Sequence, residues 1–122
     1  MTQSAAKMTP MSKDMQACVE ACMACHTMCE ETMSSCLSMG GGQDSMQIMR
    51  ALMDCTEMTR MCADMMMRRS PLAAEMCAMC ARACDMCAEA CMSMPGDPQM
   101  KRCADACRRC AEMCRAMAGA AA

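Results

Sequence analysis

Cysteine spacing is the feature that most constrains how this chain can fold. The 122-residue sequence contains 16 cysteines in four groups, and neighbouring cysteines within a group are three, four or seven residues apart. These intervals match the period of one face of an α-helix. The groups therefore predict four helices, each with a stripe of thiols along one face. The groups are Cys18, Cys22, Cys25, Cys29 and Cys36; Cys55 and Cys62; Cys77, Cys80, Cys84, Cys87 and Cys91; and Cys103, Cys107, Cys110 and Cys114.

Signals for helix ends agree with four helices. The pairs Thr9-Pro10, Ser70-Pro71 and Asp97-Pro98 each place a good N-cap residue before a proline at the first helical position. Glycines at 40–42 and the Pro95-Gly96 pair are stop signals. The predicted helices cover residues near 10–39, 45–69, 71–94 and 98–118.

The connections between these helices are short, so consecutive helices must run antiparallel. We therefore predict an all-α fold, an antiparallel up-down-up-down four-helix bundle with a cysteine-lined core. One domain is expected to span residues 1–122, with residues 1–9 as a flexible N-terminus and residues 119–122 as a tail.

The composition leaves few residues from which to build the interior. The chain has no Phe, Tyr or Trp, and it has 24 methionines, so Ala, Cys and Met must supply the apolar volume. An interior built only for packing would use Leu or Ala, whereas thiols at nearly every core position leave it narrow and underpacked. The thiol stripes therefore favour a metal site over a purely structural core.

Charge and ligand chemistry favour monovalent copper over zinc. A zinc ion held by four thiolates keeps a net charge of about −2, so four such centres would bury roughly −8. The cysteine stripes carry no Lys or Arg to offset this charge. Cu(I) is soft, monovalent and satisfied by two thiolates, and bridging thiolates give about one ion per cysteine with a neutral core. A capacity on the order of 16 Cu(I) follows.

The cysteine pattern is also compatible with three other thiol chemistries. A zinc-thiolate protein would use the Cys-x-x-Cys pairs, such as Cys22 with Cys25. An iron-sulfur electron carrier would use cysteines in fours. A thiol redox buffer could oxidise cysteine pairs within one helix and would be insensitive to copper.

The cysteine motifs resemble those of the bacterial copper storage proteins, a family of Cys-rich four-helix-bundle copper-binding proteins, of the cytosolic type. The similarity covers residues 14–117. It implies a bundle that stores many Cu(I) ions through its inward cysteines, a homotetramer and a location in the cytoplasm. Thr59 stands where another inward cysteine is expected. The motifs are Cys18-x-x-x-Cys22-x-x-Cys25-His26-x-x-Cys29, Cys77-x-x-Cys80-x-x-x-Cys84-x-x-Cys87-x-x-x-Cys91 and Cys103-x-x-x-Cys107-x-x-Cys110-x-x-x-Cys114.

The methionines divide into two sets. Most lie off the cysteine stripes and are expected to replace Leu or Phe in packing. Antiparallel helices bring a second set together at one end of the bundle, where thioethers could bind incoming Cu(I) more weakly than thiolates do. These candidate uptake ligands are Met8, Met11, Met15, Met66 and Met117.

Several function classes lack support in the sequence. The net charge of −2 and the absence of a basic block argue against a nucleic acid partner. No apolar run approaches the roughly 18 residues that span a membrane, and the start of the chain lacks a secretory signal. With only one histidine, His26, the sequence shows no Ser-His-Asp arrangement. His26 is expected to point away from the bundle axis. We therefore expect a cytoplasmic protein that is not an enzyme and has no membrane partner.

Overall fold

Four helices form the bundle that the cysteine spacing predicts. The computed structural model describes residues 11–39 and 43–120, and it contains α1 (Lys13–Met39), α2 (Gln43–Met67), α3 (Ala73–Met92) and α4 (Pro98–Ala120), with no strand in those ranges. Helices α1 and α3 each pack against α2 and α4. The antiparallel up-down-up-down bundle is therefore confirmed. The expected flexible start, with Met8 and the Thr9-Pro10 pair, lies outside the described residues.

Helix α1 begins three residues later than predicted. The side chain of Ser12 explains this start, because its Oγ accepts a hydrogen bond from the Met15 N–H at 3.1 Å. A serine in this position satisfies one of the N–H groups that the first helical turn leaves free. Ser12 is therefore the N-cap of α1.

Helix α4 begins at the predicted cap. The Oδ1 atom of Asp97 accepts hydrogen bonds from the N–H groups of Gln99 at 2.9 Å and Met100 at 3.4 Å. Pro98 is the first helical residue, where its lack of an N–H has no cost. The helix continues to Ala120, two residues into the segment expected to be a tail.

The connection between α2 and α3 differs from the prediction. Helix α2 spans residues 43–67 instead of 45–69, and α3 begins at 73 instead of 71. The chain leaves α2 by a Schellman turn, in which the N–H of Ser70 donates to the Met65 carbonyl at 2.9 Å. Arg69 adopts the required left-handed conformation at φ 54°. Ser70 and Pro71 therefore form a turn before α3 rather than its first residues.

Small residues beside the cysteines let the helices approach one another. Six buried alanines are each adjacent in sequence to a buried cysteine, and none is more than 7% exposed. Alanine at a helix contact reduces the distance between helix axes. The core is thus narrow, and thiols from facing helices meet across it. The alanines are Ala21, Ala63, Ala81, Ala88, Ala104 and Ala111.

Candidate metal centre

Fifteen of the cysteines line the bundle axis. Each is at most 1% exposed, and all are free thiols. Cys36, in the last turns of α1, is only partly buried, although its spacing predicts an inward position like the others. The fifteen are Cys18, Cys22, Cys25, Cys29, Cys55, Cys62, Cys77, Cys80, Cys84, Cys87, Cys91, Cys103, Cys107, Cys110 and Cys114.

Thiols of α1 and α4 form a ladder along the bundle. Five pairs of Sγ atoms lie 3.6 to 3.9 Å apart between these helices, and four of the pairs repeat regularly along the bundle. The regular repeat follows from antiparallel packing, since each step of three or four residues up α1 meets an equal step down α4. The four regular pairs are Cys18 with Cys114, Cys22 with Cys110, Cys25 with Cys107 and Cys29 with Cys103, and the fifth contact joins Cys22 to Cys114.

Helix α2 adds fewer thiols to this array. The Cys62 Sγ atom lies 3.6 Å from that of Cys77, and the Cys55 Sγ atom lies 3.7 Å from that of Cys84. Cys55 also lies 3.7 Å from Cys25. These contacts fix the register of α2 against both α3 and α1.

The thiols converge in overlapping groups. Four groups have Sγ atoms that all lie within 4.8 Å of one another among the described residues. Because several cysteines belong to two groups, the groups form one continuous array rather than separate sites. The groups are Cys22, Cys80, Cys110 and Cys114; Cys25, Cys29, Cys55 and Cys107; Cys29, Cys87, Cys103 and Cys107; and Cys25, Cys84 and Cys110.

Among the residues that the structure describes, no charged side chain is buried in the core. Thr32, Thr56 and Thr59 are the buried polar residues in the part of the chain that the structure describes. Charged residues such as Glu20, Glu89 and Arg108 lie on the outer faces. Any charge on the thiols must therefore be balanced by bound cations.

Thiol contacts move the pKa values in both directions. A hydrogen bond with Cys114, followed by one with Cys22, lowers the pKa of Cys62 to about 5. Contacts with Cys110 and Cys114 raise the pKa of Cys22 well above its usual range. A thiol that receives S–H donors is stabilised as a thiolate, and its neighbours then resist a second negative charge. A soft cation that replaces the protons removes this repulsion.

The two ends of the array are closed by different residues. At one end, Ile48, Leu52 and Met100 are at most 2% exposed. There the Gln99 Nε2 atom donates a hydrogen bond to the Thr32 Oγ1 atom at 2.8 Å. We call this end the Thr32 pole.

Methionines occupy the other end. Met66 is 1% exposed, and Met15 and Met117 pack against the core. We call this end, defined by these three residues, the Met pole. Met11 precedes α1 and is partly exposed, and Met8 is not among the described residues. Three of the five candidate uptake ligands thus lie at the same end of the bundle.

The single histidine points away from the thiols, as predicted. Its Nδ1 atom lies 2.9 Å from the carbonyl oxygen of Thr56 and links α1 to α2. His26, Glu30, Thr56 and Glu57 help to line a lateral cavity of about 450 Å³. The buried Thr56 Oγ1 atom has no hydrogen-bond partner, and no sequence pattern predicts this.

A helical bundle with a continuous thiol-lined axis defines a class of protein that binds soft metal ions. The family model for the copper storage protein matches residues 11–119. The chain belongs to the copper storage protein family. Among the described residues, no helix is both long enough and apolar enough to span a membrane.

Solved structures share this fold. The Cu(I)-bound copper storage protein BsCsp3 is 31% identical, with a TM-score of 0.82 over 87% of this chain and 99% of that one. A protein from Nitrosospira multiformis is 32% identical, with a TM-score of 0.80 over 88% and 97%. Apo copper storage protein 3 from Bacillus subtilis is 32% identical, with a TM-score of 0.78 over 84% and 97%. A search of curated proteins gave no match.

Proposed function

We propose that this chain stores many Cu(I) ions, on the order of one per cysteine, on the thiolates of its bundle core. All sixteen cysteines are the proposed ligands, with the partly buried Cys36 as the outermost. The observation that carries the proposal is the continuous array of buried free thiols with no buried charged side chain among the described residues. Storage would serve to supply copper or to keep it from doing damage.

The overlap between thiol groups supports Cu(I) over zinc. Cys25, Cys29, Cys107 and Cys110 each belong to two groups, as bridging ligands do. A bridging thiolate suits Cu(I), because each ion needs only two or three sulfur ligands. A zinc tetrathiolate needs four thiolates of its own, and at most two of the compact four-thiol groups share no member.

A storage role also agrees with a sequence whose single histidine offers no Ser-His-Asp arrangement. Fifteen of the thiols are at most 1% exposed, so they are not presented to substrates in solution. We therefore propose that the chain is not an enzyme and acts in the cytoplasm, where thiols stay reduced. Copper ions are its proposed partners, with no nucleic acid or membrane partner.

We also propose that the chain assembles into a homotetramer. Several apolar side chains lie open on its surface, including Leu37 at 73% and Met53 at 50% exposure. Both line a lateral groove between α1 and α2, together with Met33 and Met49. Burial of such a patch against another copy would remove it from water. Light scattering coupled to gel filtration measures the number of chains directly.

An anaerobic copper titration tests the storage proposal. Apo-protein is titrated with Cu(I) against a competing chelator, and the thiols are then challenged with an alkylating reagent. We expect tight binding to about one ion per cysteine, with the thiols masked in step with the bound copper. Loss of alkylation without bound copper would indicate oxidation, and thiols that stay reactive at full copper loading would contradict the proposal.

A further inference from the structure

One wall of the thiol array has a gap. Along α2, Cys55 and Cys62 are separated by seven residues, which is about 10 Å of helix. On the other helices, consecutive cysteines of the array are three or four residues apart. The inward position between Cys55 and Cys62 belongs to Thr59, which is fully buried.

The register of the helices places Thr59 opposite three thiols. Cys25 of α1 contacts Cys55 of α2. Because these helices are antiparallel, the four residues from Cys55 forward to Thr59 correspond to the three residues from Cys25 back to Cys22. Cys62 contacts Cys77, so Thr59 is level with Cys80. The third thiol is Cys110, whose Sγ atom lies 3.6 Å from that of Cys22.

Thr59 cannot act as a substitute thiolate. Its Oγ1 atom donates to the backbone of its own helix, 2.7 Å from the Cys55 carbonyl oxygen and 3.1 Å from that of Thr56. A neutral hydroxyl is a hard ligand that Cu(I) does not prefer. The two thiol groups that contain Cys110 accordingly include no residue of α2.

We infer that Thr59 sets the copper capacity of the core, because it leaves the layer of Cys22, Cys80 and Cys110 with thiolates from three helices instead of four. This inference rests on the proposed storage of Cu(I). Within this layer α2 contributes no thiolate of its own, and its nearest thiols, Cys55 and Cys62, belong to the layers on either side. A thiol at position 59 would face the three existing thiols and complete a fourth corner, so it would add a binding site.

The matched variants are Thr59→Cys, Thr59→Val and Thr56→Cys. Thr59→Cys adds a thiol to the axis, and Thr59→Val keeps the branched shape of threonine but replaces its hydroxyl with a methyl group, which is not a ligand. Thr56 is on the same helix but lines the lateral cavities between α1 and α2. Thr56→Cys therefore adds a thiol outside the array. Circular dichroism confirms that each variant keeps its helices, and thiols are counted in denaturant.

Copper bound per chain under chelator competition is the readout. We expect Thr59→Cys to bind about one more Cu(I) than the parent, while Thr59→Val and Thr56→Cys match the parent. An unchanged count in Thr59→Cys, or an equal gain in Thr56→Cys, would overturn the role of Thr59. A loss of copper in Thr59→Val would also overturn it. If the parent chain itself binds no copper, the storage proposal fails instead.

Discussion

The Sγ atoms of Cys22 and Cys110 lie 3.6 Å apart although 88 positions separate the residues in the chain. The contact exists only because α1 and α4 are already packed side by side. The other Sγ contacts between α1 and α4 depend on this packing in the same way. The folded bundle, rather than any local motif, therefore brings these thiols together.

The first prediction is that the apo-protein folds without metal. Caps at Ser12 and Asp97 and the buried alanines specify the bundle independently of copper. We expect a helical circular dichroism spectrum under reducing conditions in the presence of a chelator. A zinc finger behaves differently, because its metal supplies the folding energy. A random-coil spectrum would contradict the prediction.

Copper should then stabilise the folded bundle. A ligand that binds only the native state, at a free concentration a thousand times its Kd, contributes about 4 kcal/mol per site. Thermal unfolding of apo and copper-loaded protein measures the difference. We expect a large rise in Tm on loading, and an equal Tm in both states would show that copper binds outside the folded core.

The second prediction concerns metal selectivity. Zn(II) should bind at well below four ions per chain, because compact four-thiol groups share members and each tetrathiolate adds buried negative charge. Cu(I) should load to about one ion per thiol. Parallel titrations followed by metal analysis after desalting compare the two ions. Four zinc ions bound per chain with the helices retained would refute the charge argument.

The third prediction is that copper enters at the Met pole. Replacement of Met8, Met11, Met15, Met66 and Met117 by leucine nearly conserves volume but removes the thioethers. We expect loading and chelator-driven removal to slow several-fold, with the final copper count unchanged, because thioethers bind Cu(I) more weakly than thiolates do. Stopped-flow absorbance in the thiolate-to-copper band measures both rates.

The matched control lies at the opposite end. Met94 and Met100 pack at or near the Thr32 pole, and their replacement by leucine should leave the rates unchanged. If this control slows loading more than the change at the Met pole, the assigned direction is reversed. If neither variant alters the rate, these methionines serve only in packing.

The fourth prediction is that copper affinity rises with pH. Cys103 lowers the pKa of Cys91, but the contact with Cys87 and burial outweigh that effect and raise it to about 12. Contacts with neighbouring thiols likewise raise the pKa of Cys107. Such thiols hold their protons at neutral pH, so copper must displace them and acid opposes binding.

Competition titrations at pH 6 and pH 8 measure this dependence. Each proton released per ion changes the affinity by about tenfold per pH unit. We expect weaker binding at pH 6 and proton release in an unbuffered titration. An affinity that is the same at both pH values would show that the thiols are already ionised before copper arrives.

The period of the cysteines was sufficient to predict the bundle and the inward direction of fifteen thiols, because burial on a helix follows directly from spacing. Cys36 follows the same period but remains partly exposed. Enclosure near a helix end depends on which residues of other helices cover it, and spacing on one helix carries no such information.

Helix ends were less predictable for a related reason. The Ser70-Pro71 pair has the composition of a helix start, yet in the structure Ser70 belongs to the Schellman turn that ends α2. Two local preferences compete for the same residues there, and the structure forms the turn rather than an earlier start of α3. The bond between His26 and the Thr56 carbonyl also depends on tertiary contact.

The hydrogen bond between Gln99 and Thr32 helps to close one end of the bundle. With entry at the Met pole, as predicted above, the thiols nearest that pole would exchange copper fastest, and those beside Thr32 would exchange it slowest.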